Sequence, residues 1–125
     1  MKASHFRVKG ANLERKVVKE LVRSGLVPQA KRSFQSGAHW SYKSDIYAPG
    51  LNFSIECKNQ ERIKLWDFWE QAESQRKPYS PPVLMVSSNY RPILAVMDLQ
   101  DWINLNLELN EYKAKAEALE TTREV

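Results

Sequence analysis

A chain of 125 residues that is 42% hydrophobic, with four tryptophans, has room for one packed domain with one core, expected to span 1–125. No apolar run approaches the ~20 residues that cross a bilayer, and a single cysteine, Cys57, excludes an intrachain disulfide or a Cys-rich zinc site. The net charge of +4 is unevenly spread: residues 1–43 hold ten Lys/Arg against Glu14 and Glu20, whereas residues 98–125 hold seven acids against Lys113, Lys115 and Arg123.

A basic first third followed by an acidic tail suits a protein with one polyanion-binding face, although an ordinary solvated surface has the same composition. The opening residues contain no apolar segment of the signal-peptide kind, so a cytoplasmic protein is expected. Residues 1–9, with Lys2, Arg7 and Lys9 around Phe6, show no periodicity. They read either as a basic arm for a phosphate backbone or as a frayed terminus.

Residues 10–24 predict a helix. Leu13, Val17 and Leu21 recur every four positions, Val18 and Val22 widen the stripe, and Gly25 ends it. Glu14 borders the buried face, and Arg15, Lys16, Lys19 and Arg23 read as the opposite one. Residues 27–35 predict a strand, with Ala30, Arg32 and Phe34 on one side. The polar, aromatic segment 35–42 then lacks any period. Its His39, Trp40 and Tyr42 suit base stacking, Trp40 equally suits the core, and nothing demands a general-base role for His39.

The next stretch carries the chemistry. Residues 43–48 and 52–58 read as two strands about the Pro49-Gly50 turn. In the second, Phe53, Ile55 and Cys57 alternate with Ser54, Glu56 and Lys58. Folding about the turn sets Asp45 roughly opposite Glu56, about 5 Å away. Two adjacent carboxylates repel each other unless a cation lies between them, and hard oxygen donors suit Mg²⁺, with Mn²⁺ able to substitute. Lys58 shares the face of Glu56 and reaches the same substrate. A divalent metal beside an ammonium is equipment for phosphodiester chemistry.

The remaining elements read as scaffold. A helix is expected from about Lys64 to Lys77, with Leu65, Phe68 and Ala72 inward. The apolar runs 83–86 and 93–97 predict two buried strands. Asp98 caps a C-terminal helix over 99–120, in which Trp102, Leu105, Leu109, Tyr112, Ala116 and Leu119 follow spacings of three and four. Residues 120–125 read as frayed. A helix between the third and fourth strands makes the sheet mixed, with helices on both faces.

Asp45, Glu56 and Lys58 on a strand–turn–strand resemble the PD-(D/E)XK nuclease core. With Glu14 on the first helix and Ser36-Gly37-Ala38 ahead of the aspartate, the layout over 7–97 is similar to archaeal-type Holliday junction resolvases. Ser44 departs from the pattern, which has proline there. The resemblance implies an α/β, restriction-endonuclease-like core: a mixed five-stranded sheet flanked by helices, with a C-terminal helix. It implies a homodimeric Mg²⁺-dependent endonuclease whose partner is DNA, branched or duplex. Glu14, Asp45, Glu56 and Lys58 are then the catalytic set, and Asp45, Glu56, the Cys57 backbone carbonyl and Glu14 the metal donors. Lys9, Arg15, Lys16, Arg32, Ser36, His39, Trp40 and Lys43 are the candidate DNA contacts, with Gln71 a further candidate at the site. A site-specific duplex endonuclease of the same superfamily and a non-catalytic nucleic-acid-binding module are the alternatives.

Overall fold

The structure, a computed structural model, describes residues 2–33 and 44–124. Ser36, His39, Trp40, Lys43 and the Phe34 end of the expected first strand therefore lie outside the described residues. Eight elements follow in order: α1 (Lys2–Arg23), β1 (Lys31–Arg32), β2 (Ile46–Tyr47), β3 (Ser54–Asn59), α2 (Leu65–Gln75), β4 (Pro82–Ser87), β5 (Leu94–Val96) and α3 (Leu99–Glu124).

α1 forms because its apolar stripe finds a sheet to cover. Leu13, Val17 and Leu21 are buried with Ile55 and Cys57 of β3 and Ile46 of β2. Full burial of one such side chain contributes about 1.5–3 kcal/mol. The helix begins at Lys2, so residues 2–9 are its first turns and not an arm: neither Pro nor Gly interrupts them, and a nucleated helix propagates cheaply. It ends where Gly25 takes φ +79°, with its N–H donating to the Val22 carbonyl at 3.1 Å.

The expected strand over 27–35 is shorter than its alternation suggested. Residues 27–30 make a turn, closed by the Ala30 N–H on the Val27 carbonyl at 3.1 Å, and among the described residues the strand is Lys31 and Arg32, with the Ser33 N–H also donating to the Asp45 carbonyl at 2.9 Å. These pair antiparallel with β2. β3, β4 and β5 form a separate three-stranded sheet, β3–β4 parallel and β4–β5 antiparallel. The mixed sheet is as expected, with α2 as the crossover, but a single five-stranded sheet is not formed. Asp45 is the physical reason. Its N–H donates to the Ile55 carbonyl at 3.0 Å, and its Oδ2 accepts from the Cys57 N–H at 2.8 Å. A side chain thus takes the edge donor that a neighbouring strand would need.

On the second face of this sheet, Phe68 and Ala72 of α2 pack on Leu84 and Val86 of β4, with Trp69 and Val96 alongside. Leu65 and Trp66 stay exposed. β5 is an edge strand and not a buried one: Leu94 is 58% exposed. α3 starts as expected, with Asp98 Oδ1 accepting from the Gln100 N–H at 2.8 Å, but continues through Glu124. None of its described residues is buried.

Candidate active site

A cleft of about 1080 Å³ opens along the edge of β3 that Asp45 approaches, between α1 and α2. Asp45 enters it clamped by the two β3 backbone groups, a geometry set by the Pro49-Gly50 turn. There Gly50 adopts φ +86° and the Leu51 N–H donates to the Ala48 carbonyl at 3.2 Å. Glu56 and Lys58 follow from β3 by its alternation. The β3 residues facing α2 include Ser54, whose Oγ accepts from the Lys77 N–H at 2.9 Å. They also include Lys58, whose Nζ lies 5.7 Å from the Phe68 ring centroid.

Asp45 and Glu56 are only 7% and 5% exposed, and burial dominates their acidity. Desolvation first, and then the charge of Asp45, push Glu56 from the ordinary 4.5 up to about 8, against the pull of Lys58. Asp45 is also raised, by burial above all and by Glu14, although the Cys57 N–H holds it down. A hydrogen bond links the two carboxyl groups, favouring the proton on Glu56 and charge on Asp45. The buried Cys57 thiol is pushed up by the same desolvation and stays unionised.

Glu14 reaches the cleft from α1 but takes a different partner: its Oε2 accepts from Arg32 Nε of β1 at 2.7 Å, with Glu14 16% exposed at the side chain. Among the described residues no three carboxylate, imidazole or thiol side chains are gathered as a preformed metal cage. The buried Asp45–Glu56 pair nevertheless fits a hard divalent cation. Mg²⁺ is commonly held by one or two carboxylates, its remaining positions filled by water and substrate phosphate.

The cleft wall is basic. Arg15 and Lys19 line it from α1, Lys31 and Arg32 from β1. Lys19 and Lys31 are additions to the expected contacts. Positions 10, 11, 14, 15, 18 and 19 spread over about half the circumference of α1, with Arg15 about 100° and Lys19 about 140° round from Glu14, so the cleft takes in Lys19 at its rim. Lys16, about 200° round the helix from Glu14, does not line the cleft, and neither does Lys9. Gln71 lines it together with Gln75, one turn on along α2. The serine at the motif's proline position is buried, and its Oγ has no hydrogen-bond partner among the described residues.

A family model described as "Phage putative PDDEXK endonuclease" matches residues 5–124. The chain belongs to that family. PD-(D/E)XK nucleases generally use divalent metal ions, and the cleft brings Asp45, Glu56 and Lys58 together. No curated protein matches the chain, and no solved structure does. The match supports the superfamily as a whole and does not single out the resolvases. No described helix is long and apolar enough to cross a membrane.

Proposed function

We propose that this PD-(D/E)XK family member is a metal-dependent DNA endonuclease acting in the cytoplasm. The reading rests on one observation: a buried Asp45–Glu56 pair beside Lys58 in a cleft walled by Arg15, Lys19, Lys31 and Arg32. Carboxylates facing a polyanion are unfavourable for binding alone, so a pure nucleic-acid-binding module does not account for them.

Asp45, Glu56, the Cys57 backbone carbonyl and Glu14 would hold Mg²⁺, or Mn²⁺ in its place. Such an ion supplies Lewis-acid chemistry, acidifying water and offsetting charge on the scissile phosphate. Asp45, fixed by two β3 backbone groups, is preorganised and loses little entropy on recruiting a cation. Glu56 must release its proton to become a donor. Lys58 supplies a positive charge for the phosphate oxygens and a group to orient the attacking water. Arg15, Lys19, Lys31 and Arg32 hold the flanking phosphates. Ser36, His39, Trp40 and Lys43 belong to the same proposed DNA contact.

A four-way junction is the proposed substrate, supported by Glu14 standing at the cleft on the first helix, as in the resolvase-like pattern. The test is cleavage of matched end-labelled junction, linear duplex and single strand in Mg²⁺, with Glu56→Ala as control. Paired symmetric cuts confined to the junction, absent from the variant although binding persists, are expected. Cuts at one fixed duplex site, with the junction ignored, would replace the junction reading with a site-specific endonuclease. Binding without any metal-dependent cleavage would refute the nuclease reading.

A further inference from the structure

α3 is a helix of 26 residues, about 39 Å long, that starts at the end of β5 and leaves its apolar seam in water. Trp102, Leu105, Leu109, Tyr112 and Leu119 are between 40% and 69% exposed, and Ala116 is exposed with them. Spaced by three and four, these residues occupy the a and d positions of three heptads, with Trp102 at a. A lone helix with such a seam gains nothing from its apolar side chains, whereas a second helix packed on the seam takes them out of water.

The flanking charges point to the occupant. With that heptad, Glu108 and Lys115 fall at g, and Lys113 and Glu120 at e. In a parallel pair each g residue meets the e residue five positions later on the other helix. Glu108 then meets Lys113 of the second copy, and Lys115 meets Glu120. Counting both directions, four attractive pairs form and no like-charged one. The other e and g positions in this span, Asn106 and Thr122, are neutral. An antiparallel pair centred on the same seam joins Glu108 to Lys115 twice, half as many attractive pairs. The helix is thus complementary to itself, best in the parallel sense.

We propose that α3 forms a parallel two-stranded coiled coil with α3 of a second copy of this chain, making the protein an isologous dimer. This rests on α3 alone and not on the nuclease reading. If that reading also holds, the dimer brings two clefts to a substrate that needs two cuts.

The test is sedimentation equilibrium of the full chain. A mass of twice 14.5 kDa, falling towards the monomer on dilution, is expected. Leu105→Glu with Leu109→Glu should abolish it, with helical content by circular dichroism confirming that the variant is folded. Lys113→Glu should raise the dissociation constant roughly tenfold by setting like charges opposite each other twice. Adding Glu108→Lys should restore it. A monomer at every concentration, or a dimer indifferent to the Leu105 and Leu109 changes, would overturn the proposal. A double charge exchange that binds more weakly than Lys113→Glu alone would overturn the parallel arrangement. Failure to cleave DNA would leave the dimer result untouched.

Discussion

Replacing Glu56 by glutamine should stabilise the metal-free protein, by an amount that grows with pH. In the fold the Glu56 carboxyl titrates at about 8 against an ordinary 4.5, because burial and Asp45 both oppose its ionisation. Its folded-state affinity for a proton is therefore raised. Below about pH 4.5 both folded and unfolded chains are protonated there, and nothing is lost. Between 4.5 and 8 the folded state holds more protons, so stability falls as pH rises, and above 8 the full penalty is in place. At about 1.4 kcal/mol per unit, that penalty is about 5 kcal/mol. Glutamine imitates the protonated acid, since its NH₂ can donate to Asp45 where the protonated carboxyl did. The difference between variant and wild type should thus be near zero at pH 4 and reach several kcal/mol at pH 9. For 125 residues, 1 kcal/mol corresponds to about 4 °C in Tm, so even half the effect is about 10 °C. The assay is thermal and urea unfolding of both proteins in chelator from pH 4 to 9, repeated with Mg²⁺. Added Mg²⁺ at high pH should restore much of the wild-type stability and move the variant less. A difference that is flat with pH, or a variant less stable than wild type at pH 9, would refute the buried-pair account.

Ser44→Ala removes a buried hydroxyl that has no partner among the described residues and should raise stability by about 1 kcal/mol, seen as a higher urea midpoint with an unchanged slope. Leu84, 0% exposed on the central strand β4 against Phe68 and Ala72, should cost about 2–5 kcal/mol when cut to alanine, read in the same unfolding experiment. Lys19→Ala combined with Lys31→Ala should weaken DNA binding in chelator. The combination should flatten the dependence of log K on log salt by about 2, one for each lost phosphate contact. An unchanged slope would place the DNA elsewhere.

The elements that the sequence determined by itself are those governed by local stereochemistry. The stripe Leu13–Val17–Leu21, the Pro49-Gly50 turn, the alternation of β3 and the Asp98 cap all follow from side-chain direction and backbone freedom within a few residues. The approach of Asp45 to Glu56 was legible from the turn between them, although the expected hairpin does not form among the described residues: β2 pairs with β1, and only Asp45 bonds to β3. Tertiary structure decided the rest. That Asp45 spends its carboxylate on the Cys57 N–H, and so splits the strands into two sheets, depends on how β2 leaves β3. That Glu14 pairs with Arg32, eighteen positions away, depends on where β1 crosses α1. That Lys19, Lys31 and Gln75 share a cleft depends on three elements meeting at one edge. The apolar runs of β5 and α3 show the limit most plainly. Sequence marks a side chain as one that avoids water, but only the packed fold shows which apolar faces are covered within the chain and which are left for a partner.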